Sequence, residues 1–163
     1  MSTSLTLTFT VDQTPERVFT AINDVRGWWA GPPAPTEPQI EGRTDVLGAE
    51  FTYSVTDVHY VKFQITELVP STRIAWLALE SELTFIENRQ EWVGTTVTFD
   101  VSERDGRTEV VFTHVGLVPE HECYEICDDS WSSYVLGNLR RFIETGSKDP
   151  APAAFASAVD ALR

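Results

Sequence analysis

Between Glu120 and Thr145 the residues Ile126, Cys127, Trp131, Tyr134, Val135, Leu136, Leu139, Phe142 and Ile143 recur at spacings of three and four. That periodicity predicts one long helix with a broad apolar face. At about 1.5 Å per residue it is roughly 38 Å long, enough to lie across a whole sheet. Trp131 and Tyr134 bring large rings to the face, and Gly137 and Asn138 interrupt it one turn later with a small and a polar side chain. A face with such a step packs unevenly, leaving room for a bulky neighbour or a cavity.

The segments upstream read as the sheet. Leu5, Leu7, Phe9 and Val11 alternate with threonines, a half-buried strand. Thr14-Pro15-Glu16 is a helix start with the hydroxyl as cap, and Val18, Phe19 and Ile22 form the apolar side of a short helix to about Asn23. Asp24 caps a second short turn ending at Gly27-Trp28-Trp29. Adjacent tryptophans on a regular element point apart, so either one seals the core while the other covers an opening, or both plug gaps between the short helices and the sheet. Residues 31–38 hold Pro32, Pro33, Pro35 and Pro38 and form a connection, with a short edge strand over Pro38 to Gly42. Phe51, Tyr53 and Val55, then Val61, Phe63 and Ile65, alternate as a hairpin that turns near Asp57-Val58 and leaves His59 facing solvent.

Ile74, Trp76 and Ala78 share one face of a further strand over Thr72 to Leu79. Glu80 to Gln90 reads as irregular strand or loop, with Leu83, Phe85 and Ile86 looking buried. From Trp92 the alternation resumes, with Val93, Thr95, Val97, Phe99 and Val101 opposing Trp92, Thr96, Thr98 and Asp100. Asp105-Gly106 supplies a hairpin turn before a return strand over Thr108 to Val115. The order is one strand, two short helices, about six strands and one long helix. An α+β domain in which an antiparallel sheet curls around the last helix satisfies it most economically.

With 163 residues the chain is expected to form one domain over 1–146, large enough to bury about two-thirds of its unfolded area. A tail over 147–163 carries Phe155, Val159 and Leu162 on a narrow stripe. A formal charge of −13 from 25 acidic and 12 basic side chains argues against nucleic acid and anionic membrane as partners. Arg26, Arg43, Arg73 and Arg89 are solvated cations or, alternatively, a local anion pocket. No apolar run of 18 residues and no basic leader occurs, which points to a soluble, cytoplasmic protein. Cys123 and Cys127, four apart on one helix, point in parallel and read as reduced thiols.

In sequence order, Phe9-Thr10-Val11, Thr14-Pro15-Glu16-Arg17-Val18-Phe19, Trp28-Trp29, Phe63-Gln64-Ile65-Thr66-Glu67-Leu68-Val69-Pro70, Val111 to Leu117 and Trp131 to Leu139 resemble the activator of heat-shock protein 90 ATPase homologue-like proteins. These belong to the START and birch-pollen-allergen superfamily of helix-grip folds. The resemblance spans about residues 4 to 145, and the family's glycine-tryptophan pair in the last helix stands here as Ser130-Trp131. It implies an apolar cavity between last helix and sheet.

The expected function is accordingly binding of an apolar, lipid-like or aromatic small molecule. Trp28, Phe51, Tyr53, Phe63, Trp76, Phe99, Phe112, His114, Trp131 and Tyr134 are the candidate ligand-binding residues. A polyketide-cyclase-like enzyme that moves a proton is one alternative, with His114, Tyr53 or Tyr134 as its acid or base. A co-chaperone-like interaction domain is the other. His121, Cys123 and Cys127 sit near Glu120, Glu122, Glu125, Asp128 and Asp129, but on different helical stripes, so no metal site is expected; the acidic cluster suits a helix N-terminus. No cofactor motif occurs. Exposed sheet or tail surface is available for a homodimer.

Overall fold

The computed structural model describes residues 4–29, 39–55, 59–84 and 86–146. The first strand, β1 (Leu5–Val11), turns Leu5, Phe9 and Val11 inward and leaves Thr6 and Thr8 in water. Helix α1 (Pro15–Asn23) starts where expected: the Arg17 N–H donates to Thr14 Oγ1 at 3.2 Å, and proline occupies the first position, where no N–H is needed. A single 3-10 turn, Val25–Gly27, follows.

Six strands complete the sheet: β2 (Gln39–Gly42), β3 (Glu50–Val55), β4 (His59–Val69), β5 (Arg73–Leu83), β6 (Thr96–Arg104) and β7 (Arg107–Val115). Their spatial order is β1-β7-β6-β5-β4-β3-β2, with every pairing antiparallel. Register shifts between β4 and β5 at Lys62/Phe63 and Ile65/Glu67 bend the two longest strands, as bulges do, and give the sheet its concave face. Asp105 (φ 52°) and Gly106 (φ 79°) make the tight β6–β7 turn, with both central residues left-handed as such hairpins require.

The long helix crosses the concave face and begins later than the periodicity predicts. Leu117 to Cys123 form turns, and helical structure runs as α2 (Tyr124–Trp131), a π-helical segment (Ser132–Leu139) and α3 (Arg140–Thr145). Glu91 holds that start: its carboxylate accepts the N–H groups of Glu122 (3.2 Å) and Cys123 (2.9 Å), donors that a helix leaves unpaired. Trp131, Tyr134, Val135, Asn138, Leu139 and Ile143, spaced three and four apart, are buried toward the sheet, whereas Leu136, assigned to that face by periodicity, is 37% exposed. Together these elements form the α+β helix-grip fold.

Several expectations are corrected. Strand β5 continues through Ser81 and Leu83, both buried, where an irregular segment was expected. His59 opens β4 on its inward parity, opposite Val55 and Leu83, and is 3% exposed rather than solvent-facing. Trp92 precedes β6 in a turn and is buried, whereas Val93 is exposed, the reverse of the alternation. Cys123 and Cys127 are joined in a disulfide, with Cα atoms 5.5 Å apart. Cys123 directly precedes α2 with helical dihedrals (φ −75°, ψ −15°), its carbonyl accepts the Cys127 N–H at 2.7 Å, and the Cα separation lies inside the roughly 4.4–6.8 Å a bridge spans. Phe85, the prolines of 31–38, the turn at 57–58 and the tail over 147–163 lie outside the described residues.

Arg26 closes the outer edge of β2, its guanidinium donating to the carbonyls of Ile40 (3.0 Å) and Gly42 (2.9 Å), so that edge offers no free ladder to another strand. Arg43, Arg73 and Arg89 pair on the surface with Asp45, with Glu67 and Asp100, and with Glu82. Gly42 lies at φ +102°, and an added Cβ would run into the Glu50 carbonyl oxygen across the ladder. Gly42→Ala is expected to cost about 1–3 kcal/mol in urea unfolding; a loss within experimental error would show that β2 is not held in this register.

Candidate functional site

The concave face is lined with rings from four directions. Phe51, Tyr53, Phe63 and Trp76 come from β3, β4 and β5, Phe99 and Phe112 from β6 and β7, Trp131 and Tyr134 from the long helix, and Trp28 and Trp29 from the turn after α1. Every candidate residue named from the sequence is 0–4% exposed. Both adjacent tryptophans are buried, their rings parallel within 13° and 6.2 Å apart. Of the two expectations the gap-filling one holds, and the divergence of a regular element fails because Trp28 sits at φ −134°, ψ −28°, past the end of the 3-10 turn.

Trp29 is the centre of the cluster. It stacks on Tyr53 with centroids 3.9 Å apart and 10° between planes, and meets Trp131 at 4.8 Å and Trp76 at 6.2 Å. Trp76 in turn touches Phe51, Phe63 and Phe99. Each such ring removes about 150–250 Å² from water, worth about 4–6 kcal/mol before entropy is counted. Among the described residues the void left against Trp29, Tyr53, His59, Trp92, Cys127, Ser130 and Trp131 is about 10 Å³, close to the least that holds one water.

One polar chain crosses this interior. Trp131 Nε1–H can only donate, and it lies 3.2 Å from His114 Nδ1. The neutral imidazole therefore carries its proton on Nε2, which donates to Thr95 Oγ1 at 2.8 Å; the Thr95 hydroxyl donates onward to the Trp92 carbonyl at 2.6 Å. Both imidazole nitrogens are used. Burial, reinforced by the charges of His59 and His121, lowers the His114 pKa to about 3, so near neutral pH the ring has neither a free lone pair nor a transferable proton for a substrate. The sequence's best candidate for acid–base chemistry is a tie between helix and sheet.

Burial likewise lowers His59 to about 3, and its ring packs edge-on against Tyr53 and Trp92. Burial first, then the adjacent Tyr134, raises Tyr53 well above the ordinary phenol range, and burial raises Tyr134 too. Both phenols stay protonated as hydrogen-bonding groups. Asn138, the step in the helix face, turns inward and donates to the Trp28 carbonyl at 3.1 Å, while Gly137 faces open space. His121 Nδ1 accepts from the Val118 N–H at 3.3 Å, and the two cysteines are bonded to each other. No three His, Cys, Asp or Glu side chains converge for a metal ion among the described residues.

Sequence reasoning passed over Trp29 as a lining residue, and with it Trp92, Thr95 and His59. For Trp92 and Thr95 the signal is Gly94, whose φ of +86° breaks the strand before β6 and lets the alternation reverse. Outside, α1 is flanked by two open grooves. One of about 580 Å³ runs along Arg17, Thr20, Ala21 and Phe142; the other, of about 470 Å³, runs along Phe19, Asn23, Arg26 and Thr44. Among the described residues no helix is long and apolar enough to cross a membrane.

Residues 12–144 match the model of the family described as Activator of Hsp90 ATPase homolog 1-like protein. Among solved structures, the Aha1 dimer from Colwellia psychrerythraea superposes with a TM-score of 0.68 at 20% identity, covering 88% of this chain and 98% of that one. SSP2350 from Staphylococcus saprophyticus gives 0.64 at 18% identity over 92% and 98%. MLL2253 from Mesorhizobium loti gives 0.63 at 13% over 85% and 96%. At these identities the likeness is one of fold. No curated protein matches the sequence.

Two expectations follow from the buried polar chain. Thr95→Val leaves His114 Nε2–H without its acceptor and should cost about 1–3 kcal/mol in denaturant unfolding; full stability would remove the bond. An unfolded histidine titrates near 6.5, whereas His59 and His114 titrate near 3 when folded. Above 6.5 both states are neutral and this stability is complete. As pH falls toward 3 the unfolded chain takes up protons that the folded chain refuses, and up to about 1.4 kcal/mol per pH unit is lost for each histidine. His114→Gln should flatten that slope by one histidine's share; an unchanged slope would contradict its burial in neutral form.

Proposed function

The chain belongs to the Activator of Hsp90 ATPase homolog 1-like family, and from that membership we propose that it works through its surface, as a co-chaperone-like interaction domain for an ATPase of the Hsp90 class. The observation that carries the proposal is the filled interior. Rings occupy the concave face down to a void of about 10 Å³ among the described residues, and the only inward histidine of the late strands spends both nitrogens on structural bonds. An interior so occupied supports a scaffold for outside contacts better than a site of proton transfer. The proposal includes self-association, because the relative from Colwellia psychrerythraea is described as a dimer.

The direct test adds the purified protein to the Hsp90-class ATPase of the same cells. A rise in ATP turnover that saturates with protein concentration is expected, together with complex formation in sedimentation. Neither binding nor stimulation at concentrations well above those in the cell would overturn the reading. Light scattering tests the dimer separately, a monomer mass at all concentrations removing it.

A specific observation keeps a second reading, that of a container for an apolar or aromatic small molecule lined by Trp28, Phe51, Tyr53, Phe63, Trp76, Phe99, Phe112, His114, Trp131 and Tyr134. Among the described residues Trp76 Nε1 and Trp92 Nε1 are buried donors with no acceptor, each costing about 1–3 kcal/mol as it stands. A core selected only for packing would carry phenylalanine there. Native mass spectrometry of protein from its own cells should then show a stoichiometric small molecule that organic extraction releases; a bare chain mass would count against it.

A further inference from the structure

We propose that Trp29 holds the place of a ligand, a neutral planar aromatic compound of about two fused rings with hydrogen-bond acceptors on its edge, which displaces the indole and stacks on Tyr53. The inference rests on the container reading and names its site and ligand class.

Position is the first argument. Trp29 is contributed neither by the sheet nor by the long helix but by the turn past Val25–Gly27, yet its ring lies at the middle of the cluster. It occupies a slot with flat walls. Tyr53 is parallel to it at 3.9 Å, Trp76 is parallel within 7° at 6.2 Å, and Trp131 closes the slot at 4.8 Å. Parallel faces at these spacings accept any planar ring system of similar size, since stacking asks little beyond flatness.

Polarity is the second. Two indole N–H groups beside the slot lack acceptors: Trp76 Nε1, on a ring that Trp29 faces, and Trp92 Nε1, on a ring that lines the small void with Trp29. Both are donors, so the missing partner is an acceptor such as a carbonyl, ether or ring-nitrogen atom. An indole cannot supply one, because its nitrogen only donates. Trp29 thus fills the shape of the slot and leaves its hydrogen bonding unfulfilled, while a heteroaromatic carbonyl compound meets both.

Charge is the third. Among the described residues no Asp, Glu, Lys or Arg is in ring contact with Trp29 or lines the void. A charged ligand would be stranded there without a counter-ion, so the compound is neutral. His114 is already committed to Trp131 and Thr95, and the site binds without transforming what it holds.

Coumarin, neutral, bicyclic and bearing acceptors only, is the probe; naphthalene, of the same shape without acceptors, is the control. Each is titrated into the wild-type protein while the indole Nε1–H resonances of Trp29, Trp76 and Trp92 are followed by NMR. Coumarin is expected to move the Trp76 and Trp92 signals downfield and to shift Trp29 toward a solvent-exposed value, with naphthalene at least about tenfold weaker. Trp29→Ala, which removes the competing ring, should bind coumarin at least about tenfold more tightly than wild type; Trp29→Phe, which keeps a ring in the core, serves if the alanine variant does not fold, and should also bind more tightly.

Coumarin binding to a Trp29 variant but not to wild type would make Trp29 an ordinary core residue and overturn the proposal. Equal affinity for wild type and variants would place the ligand elsewhere, overturning the proposal while leaving the container reading intact. No binding to either, with a co-purified compound nonetheless present in native mass spectra, separates the two in the same way. Coumarin and naphthalene binding alike would remove the role given to the two indole donors, and with it the proposal.

Discussion

A seven-stranded sheet bent by register shifts between its two longest strands has a concave face that something must fill. Here one helix and a set of aromatic rings fill it. The rest of the structure follows from that demand: the helix has to lie deep enough for Trp131 to reach Phe112 and His114 on β7 and for Tyr134 to reach Tyr53 on β3, and α1 with its following turn has to bring Trp28 and Trp29 to the remaining gap. The apolar contacts supply most of the cohesion and little direction. Direction comes from two polar ties across the core, Trp131 to His114 and Asn138 to the Trp28 carbonyl, which fix where along the sheet the helix sits.

This economy governs what the interior can do. An inward histidine beside tyrosines has the composition of an acid–base site, yet the geometry assigns every proton of the chain from Trp131 through His114 and Thr95 to the Trp92 carbonyl. Buried polar networks that are fully satisfied rigidify a core, and this one does so at the price of any reactivity. Two other indole donors in the same interior are not satisfied. Trp92 takes part in both: its carbonyl ends the satisfied chain and its ring packs on His114 and Trp131, while its own N–H has no acceptor among the described residues.

The fold was legible because its signals are periodic. Alternation in 5–11, 51–55, 61–65, 97–101 and 108–115, an Asp-Gly turn and one helical stripe are enough to order a sheet and a helix. The inward parity of those strands also matches the burial of their aromatic rings. Failures cluster where the backbone leaves periodic geometry. Trp28 and Trp29 converge because they lie past a 3-10 turn, and Trp92 is buried because Gly94 resets the strand. His59 was misplaced by reading the approach to a turn as solvent, although its parity already matched Val61 and Phe63. The long helix starts at Tyr124 because Glu91, from a distant loop, captures the N–H groups ahead of it, a contact that no local pattern encodes. The disulfide departs from the expectation of parallel thiols although Cys123 keeps helical dihedrals, its Cα lying 5.5 Å from that of Cys127.

The hydrogen bonds of His114 hold it as a neutral structural tie, and the most direct measurement of that state is the long-range proton–nitrogen NMR spectrum of its imidazole as pH is lowered from neutrality. The account predicts a single tautomer with the proton on Nε2 and a hydrogen-bonded, unprotonated Nδ1, unchanged until the approach to its folded pKa of about 3. A ring that titrates near the ordinary 6.5, or that carries its proton on Nδ1, would contradict the account and return His114 to the list of groups able to move a proton.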